Sequence, residues 1–203
     1  MIFRTRGAAR LAVFAAAALV LSGLAFAADW PPWRGPQRDG VAQEKGLFKG
    51  WAHGKPRLLW QASGLGVGYS SVSIVGGRAY TMGDITNPSG GKQQCVIALD
   101  LKTMKPVWTA RVGAPHNDGP RSTPTVAGGM VFAIGTDGDV VGVEAASGRV
   151  RWRVNMERDL AGRMMSGWRY SESPLVDGDR VIVTPGTASS TLAALDRTTG
   201  KVI

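Results

Sequence analysis

Four side chains in this sequence have types that suit ligand capture, and a repeating frame brings them together. Aligning Gly77, Gly129 and Asp179 puts Tyr69, Arg121 and Ser171 in one column and Ser70, Ser122 and Glu172 in the next. Each column stands just before the first apolar strand run of its repeat, and Trp168, Arg169 and Tyr170 stand close by. An arginine can hold a carboxylate and an aromatic ring can stack on a flat ligand, so Tyr69, Arg121, Trp168 and Glu172 form the candidate binding group. The structural alternative is an ion pair between Arg121 and Glu172 that ties neighbouring repeats together.

Other chemical motifs read more plainly as architecture. Asp137-Gly138-Asp139 lies between two apolar runs and lacks the further oxygen ligands of a calcium loop, so it is expected to be a hairpin turn. Gly64-x-Gly66-x-Gly68 is followed by no helix pattern that could bind phosphate, and reads as a link into the first repeat. His53 and His116 have no nucleophile at a recognisable spacing, and His116-Asn117-Asp118 reads as a connecting loop. No catalytic residue and no metal site follow from the sequence. The single cysteine, Cys95, alternates with Ile97 and Leu99 and is expected to be buried; alone it excludes a disulfide scaffold and a four-thiolate zinc site.

The elements that must position these residues repeat with a period near fifty. Ser70–Tyr80 followed by Cys95–Asp100 and Trp108 recurs as Ser122–Phe132, Val140–Glu144 and Trp152, and again as Ser173–Gly178, Leu192–Asp196 and Thr199–Ile203. Within each unit the apolar residues form short β-branched runs separated by Gly-Gly, Asp-Gly or Thr-Gly, which is strand and hairpin chemistry with no room for a helix. Gly148 and Gly200 supply a positive φ in the turn before the tryptophan; Met104 replaces that glycine in the first unit, where the turn must change geometry or hold a strained residue. One tryptophan per unit, at 60, 108 and 152, is suited to packing one sheet on the next, with Asp100 and Asp196 closing the turns.

Small antiparallel sheets at this period stack radially, which predicts an all-β fold: a β-propeller with about three four-stranded blades of a larger closed ring. The expected organisation is a signal peptide over 1–27, a Trp/Pro-rich cap over 28–57 and propeller repeats over 58–203. Within the repeats we expect a closure strand at 58–61, blades at 69–112 and 121–156, and an incomplete blade at 171–203. The leader expectation rests on Arg4, Arg6 and Arg10 before the apolar run Leu11–Leu24 and the small-x-small Ala25-Phe26-Ala27. Its removal leaves no membrane-spanning segment and predicts an exported protein, periplasmic or extracellular. The remaining 21 basic and 15 acidic side chains give about +6, spread without a long basic run, so nucleic acid is not an expected partner.

The pattern Ala-x-Asp-x-x-Thr-Gly-Lys, whole at Ala194–Lys201 and substituted at Ala98–Trp108 and Gly142–Trp152, resembles the tryptophan-docking motif of pyrroloquinoline quinone (PQQ)-like repeats. The opening Trp30–Gly40 is similar to the start of exported PQQ-binding-like propeller proteins, a superfamily that holds quinoprotein alcohol dehydrogenases and BamB-like assembly factors. The resemblance implies two functions. One is a binding or protein-interaction scaffold of the cell envelope, whose partners are envelope proteins or a small ligand in the propeller channel. The other is an alcohol or sugar dehydrogenase using PQQ and calcium, in which Arg121 would hold a quinone carboxylate; the vicinal disulfide usual in those enzymes cannot form from Cys95 alone. A third reading, an adhesion or carbohydrate-binding propeller, needs exposed rim aromatics, for which Trp51 is the candidate.

Overall fold

The computed structural model describes residues 28–47, 49–50 and 54–203; the leader over 1–27, Trp51 and His53 lie outside the described residues. Eleven strands are present among them, in three antiparallel sheets. The first sheet is β1 (Ser73–Val75), β2 (Arg78–Thr86), β3 (Lys92–Asp100) and β4 (Lys105–Gly113), in that order. The second is β5 (Thr125–Ala127), β6 (Met130–Ile134), β7 (Asp139–Glu144) and β8 (Val150–Asn155). The third is β9 (Leu175–Asp177), β10 (Arg180–Val183) and β11 (Ala193–Asp196), with a bridge from Leu195 to Val202 beginning a fourth strand. These are propeller blades of an unclosed ring.

The central blade shows why its strands are apolar on both faces. Val131, Ala133, Val141 and Val143 pack with Tyr80, Met82, Val96 and Val112 of the first blade. The alternating partners Phe132, Ile134 and Val140 pack with Val181, Val183 and Leu195 of the third. Successive side chains of a strand point to opposite faces, so a blade enclosed by two neighbours reads as a continuous apolar run. Cys95 is fully buried, and burial raises its thiol pKa.

The inner strands are laced by hydroxyls. Ser71 N donates to Thr123 Oγ1 at 3.1 Å and Thr123 N to Ser173 Oγ at 2.9 Å. Two residues on, Ser73 Oγ donates to the Pro124 carbonyl at 2.5 Å and Thr125 Oγ1 to the Pro174 carbonyl at 2.6 Å. Short polar side chains thus satisfy backbone groups that a neighbouring inner strand would otherwise leave buried and unpaired.

Toward the outer strands, each tryptophan sits on the next blade's turn. The Trp108 indole donates to the Ala145 carbonyl at 3.1 Å, and Trp152 to that of Arg197 at 2.9 Å. A Cβ added to Gly148 would lie 2.7 Å from the Trp108 ring, and one on Gly200 2.7 Å from the Trp152 ring. Met104 keeps the same turn, its N–H bonded to the Asp100 carbonyl at 2.7 Å, by adopting a left-handed φ of 57°. Among the described residues Leu58–Gln61 pairs with no strand, and Trp60 is 54% exposed. In the first blade the corresponding receiving turn is Asp100–Met104, and no tryptophan among the described residues stands on it. A single helical turn, α1 (Met156–Asp159), follows β8; Asn155 Oδ1 caps it by accepting from the N–H groups of Glu157 and Arg158.

The turn acids are strongly hydrogen-bonded. Asp196 accepts from the hydroxyls and N–H groups of Thr198 and Thr199, which lower its pKa from 3.8 to about 2. Arg149, then Ser147, lower that of Glu144 from 4.5 to about 2.

Two predictions follow from these turns. Gly129→Ala, at φ 75° with open space around its Cβ, should cost about 1–2 kcal/mol for the left-handed backbone alone. Gly148→Ala, at φ 76°, should cost more because Trp108 must move; urea unfolding of the two variants measures the difference, and equal midpoints would contradict the docking role. Because the folded pKa values of Asp196 and Glu144 are depressed, their contribution is complete above the unfolded carboxyl range and is lost as pH falls from about 4.5 toward 2. Asp196→Asn should therefore lower the melting temperature at pH 6 and flatten its decline between pH 4.5 and 2.

Candidate functional site

The inner strands have two ends with different chemistry. Residues 69, 121 and 171 stand at the end where chain enters each blade, and 74, 126 and 176 near the hairpin end. With about 3.3 Å per residue, five residues separate the two ends by roughly 17 Å. At the hairpin end the N-terminal segment crosses all three blades. Trp30 exchanges backbone hydrogen bonds with Ile74, Pro31 accepts from Val126 N at 3.0 Å, and Arg38 Nη2 donates to the Val176 carbonyl at 2.5 Å.

The opposite end is an open mouth of about 720 Å³, lined by Tyr69, Asp118, Arg121, Met164, Trp168 and Glu172 among others. The structure thus brings the four sequence candidates around one cavity. Arg121 is its centre. The guanidinium carbon lies 4.6 Å from the centroid of Trp168 and 5.4 Å from that of Tyr69, and Nη2 pairs with Asp118 Oδ2 at 2.9 Å. Each ring contributes on the order of 0.5–2 kcal/mol, more as water is excluded. The rings remain outward: Tyr69 is 71% exposed, Trp168 62%, and the adjacent Met165 91%.

The alternative ion pair between Arg121 and Glu172 is corrected by this geometry. Asp118, three residues before Arg121, takes the guanidinium. Glu172 faces its own blade instead, accepting from Thr184 N at 2.8 Å and from the Thr184 hydroxyl. Ser70 has the same duty in the first blade, where its Oγ accepts from Met82 N. Tyr170 is turned inward as well: it is buried, its hydroxyl donates to the Pro185 carbonyl at 3.1 Å, and burial raises its pKa. Arg169 is held in a left-handed φ of 60° by Asp137 at 3.3 Å and Glu157 at 3.1 Å.

Beneath the mouth lies a buried polar knot that sequence reasoning did not single out. Gln94 Nε2 donates to Asp84 Oδ1 and Thr136 Oγ1, Gln94 Oε1 accepts from Thr136 N, and Asp84 Oδ2 accepts from His116 N. It fixes the His116–Asp118 loop, and thereby Arg121, to the first two blades. Its only sequence signal is polar Gln94 and Asp84 inside otherwise apolar strands.

The residues present do not fit calcium. Glu172 is occupied by Thr184 and Asp118 by Arg121, and among the described residues no three His, Cys, Asp or Glu side chains converge. They fit a quinone tricarboxylate poorly too: Arg169 is held by Asp137 and Glu157 and Arg121 Nη2 by Asp118, which leaves the buried, unpartnered Arg121 Nη1 as one donor where three carboxylates would need several. Asp137-Gly138-Asp139 forms a tight turn with Gly138 N bonded to the Gly135 carbonyl. Among the described residues no helix is long and apolar enough to cross a membrane.

The role of Glu172 is testable. Glu172→Gln should lower stability by about 1–2 kcal/mol through its weakened bond to Thr184 while leaving Trp168 emission unchanged. A shifted Trp168 emission would restore Glu172 as a partner of Arg121.

A family model described as "Outer membrane protein assembly factor BamB" matches residues 52–203. No curated protein matches the chain. Among solved structures, a europium-containing methanol dehydrogenase is similar with a TM-score of 0.54 at 22% identity, over 72% of this chain and 26% of that one. The quinohemoprotein alcohol dehydrogenase from Comamonas testosteroni gives 0.50 at 22% identity, over 69% and 21%. BamB from Moraxella catarrhalis gives 0.46 at 22% identity, over 70% and 39%. The chain therefore spans between about a fifth and two fifths of these relatives. At such identities the two dehydrogenases share its fold, and the likeness extends no further.

Proposed function

Because the chain belongs to the family described as outer membrane protein assembly factor BamB, we propose that it is an exported, envelope-located propeller scaffold that binds another protein at the mouth. The observation that carries this reading is the outward display of Tyr69 and Trp168 around an arginine paired with Asp118, with the exposed Met165 next in sequence to Met164, which lines the mouth. Aromatic residues, methionine and arginine are the side chains enriched in protein interfaces, and clustered rings on a rigid support act as anchors. With Arg121 Nη2 on Asp118 and Arg169 held by two acids, little positive charge is left for a small polyanion, which favours a protein face of mixed apolar and polar character. The family description points to a component of outer-membrane protein assembly as the partner. The export expectation, drawn from the leader sequence, and the expected blade boundaries belong to the same proposal.

The dehydrogenase reading has the shared fold behind it, and fold alone does not carry an activity. The experiment therefore has two arms. A photo-crosslinking residue in place of Met165 should give a discrete adduct with an envelope protein in intact cells, reduced at least tenfold by Trp168→Ala, while the same residue at Val150 on the outer strand gives none. A saturable, calcium-dependent rise in melting temperature with PQQ that Arg121→Ala abolishes would overturn the scaffold reading in favour of a quinoprotein.

A further inference from the structure

Another cavity lies at the opposite end of the inner strands, between the N-terminal segment and β5 and β9. It has a volume of about 330 Å³, at the small end of the range for ligand pockets. Its walls are Pro31, Pro36, Val126, Leu175 and neighbouring apolar groups, and among the described residues no Asp or Glu lines it. Its two charged side chains are both cations, Arg34 and Arg38.

The two arginines differ in what they already hold. Arg38, at a left-handed φ of 61°, spends Nη2 on the Val176 carbonyl and so pins the segment to the third blade. Arg34 has no hydrogen-bond acceptor and no carboxylate partner among the described residues. Its guanidinium carbon lies 5.9 Å from the centroid of Trp33, a ring that is 57% exposed. Ser173 adds a hydroxyl whose oxygen accepts from Thr123 N and which donates to no acceptor among the described residues. The pocket therefore offers donors, one unmatched positive charge and a half-open indole over apolar walls. This is the complement of a small molecule with an apolar body and one carboxylate: burying an anion is unfavourable unless a cation and donors meet it, and here they are already in place.

We propose that this pocket binds a small apolar monocarboxylate, its carboxylate on Arg34 and its body against Trp33 and the prolines. The site is independent of the mouth. It lies at the other end of the inner strands and shares no lining residue with it.

Isothermal titration of the chain with 2-naphthoate and with octanoate separates an aromatic from an acyl body, and 2-naphthalenemethanol supplies the uncharged control. At least one carboxylate should bind saturably with 1:1 stoichiometry and raise the melting temperature. Arg34→Gln should weaken that binding about tenfold, as should replacing the carboxylate by the alcohol, and Trp33→Ala should weaken it further for 2-naphthoate. Arg34→Gln should melt close to wild type without ligand, since Arg34 has no hydrogen bond or ion pair to lose among the described residues and only its exposed contact with Trp33, and Trp168→Ala at the mouth should leave the affinity unchanged. Absence of saturable binding at millimolar ligand, equal affinity for acid and alcohol, or indifference to Arg34→Gln would each overturn the proposal; so would loss on Trp168→Ala, which would move the site to the mouth.

Discussion

Everything in this molecule depends on the contact between one blade's tryptophan and the next blade's turn. The indole lies so close to Gly148 and Gly200 that no side chain fits between them, and its N–H is bonded to a carbonyl of the same turn. A large apolar surface and a directed hydrogen bond together fix both the distance and the rotation between neighbouring sheets. The tilted Tyr80–Trp108 and Phe132–Trp152 pairs, with centroids 5.9 Å apart in each case, carry that contact into the inter-blade cores. A sheet free to rotate about its neighbour would misalign the inner strands, and the mouth would lose its geometry.

The hydroxyl lacing does at the axis what tryptophan does further out. Ser71, Ser73, Thr123, Thr125 and Ser173 bond from blade to blade at matching positions, so residues 69, 121 and 171 start from a common level. Arg121 is then immobilised by three neighbours from three places in the chain: Tyr69 before the first blade, Asp118 in the connecting loop and Trp168 before the third. Rigidity of this kind suits recognition, because little side-chain entropy is left to lose on binding. The N-terminal segment closes off the hairpin end by bonding to Ile74, Val126 and Val176, one matching position on each inner strand. The two ends are thereby given separate chemistry: exposed rings with paired charges at one, an apolar pocket with an unpaired guanidinium at the other.

The first blade shows how far the pattern tolerates departure. Met104 stands where Gly148 and Gly200 stand, and the turn survives by placing a non-glycine residue in the left-handed region at a cost of about 1–2 kcal/mol. Among the described residues no indole sits on that turn, so none of them makes the steric demand that enforces glycine at 148 and 200. Trp60 belongs to the same tryptophan series by spacing and yet is exposed, which separates the periodicity of a residue from the presence of a surface to receive it.

What the sequence determined by itself was the repeat: the strand order, the hairpin turns, Trp108 and Trp152 as docking residues and the shared column of Tyr69 and Arg121 all follow from local patterns of apolar, glycine and proline residues, while the nine-residue strands of the first blade run beyond the short apolar runs that mark them. Local patterns carry this information because alternation, positive φ and turn hydrogen bonds are decided within a few residues. Partner choice was left to the tertiary structure. Glu172 and Asp118 are both acids near Arg121 in the folded chain, and only the path of the His116–Asp118 loop, held by Asp84 and Gln94, made Asp118 the counter-ion. Tyr170 reads like Trp168 in the sequence, and its inward turn toward Pro185 was settled by packing between the second and third blades. Arg38 reaching Val176 spans 138 residues, a contact whose geometry no spacing rule encodes, because it exists only once three separate blades have been set side by side.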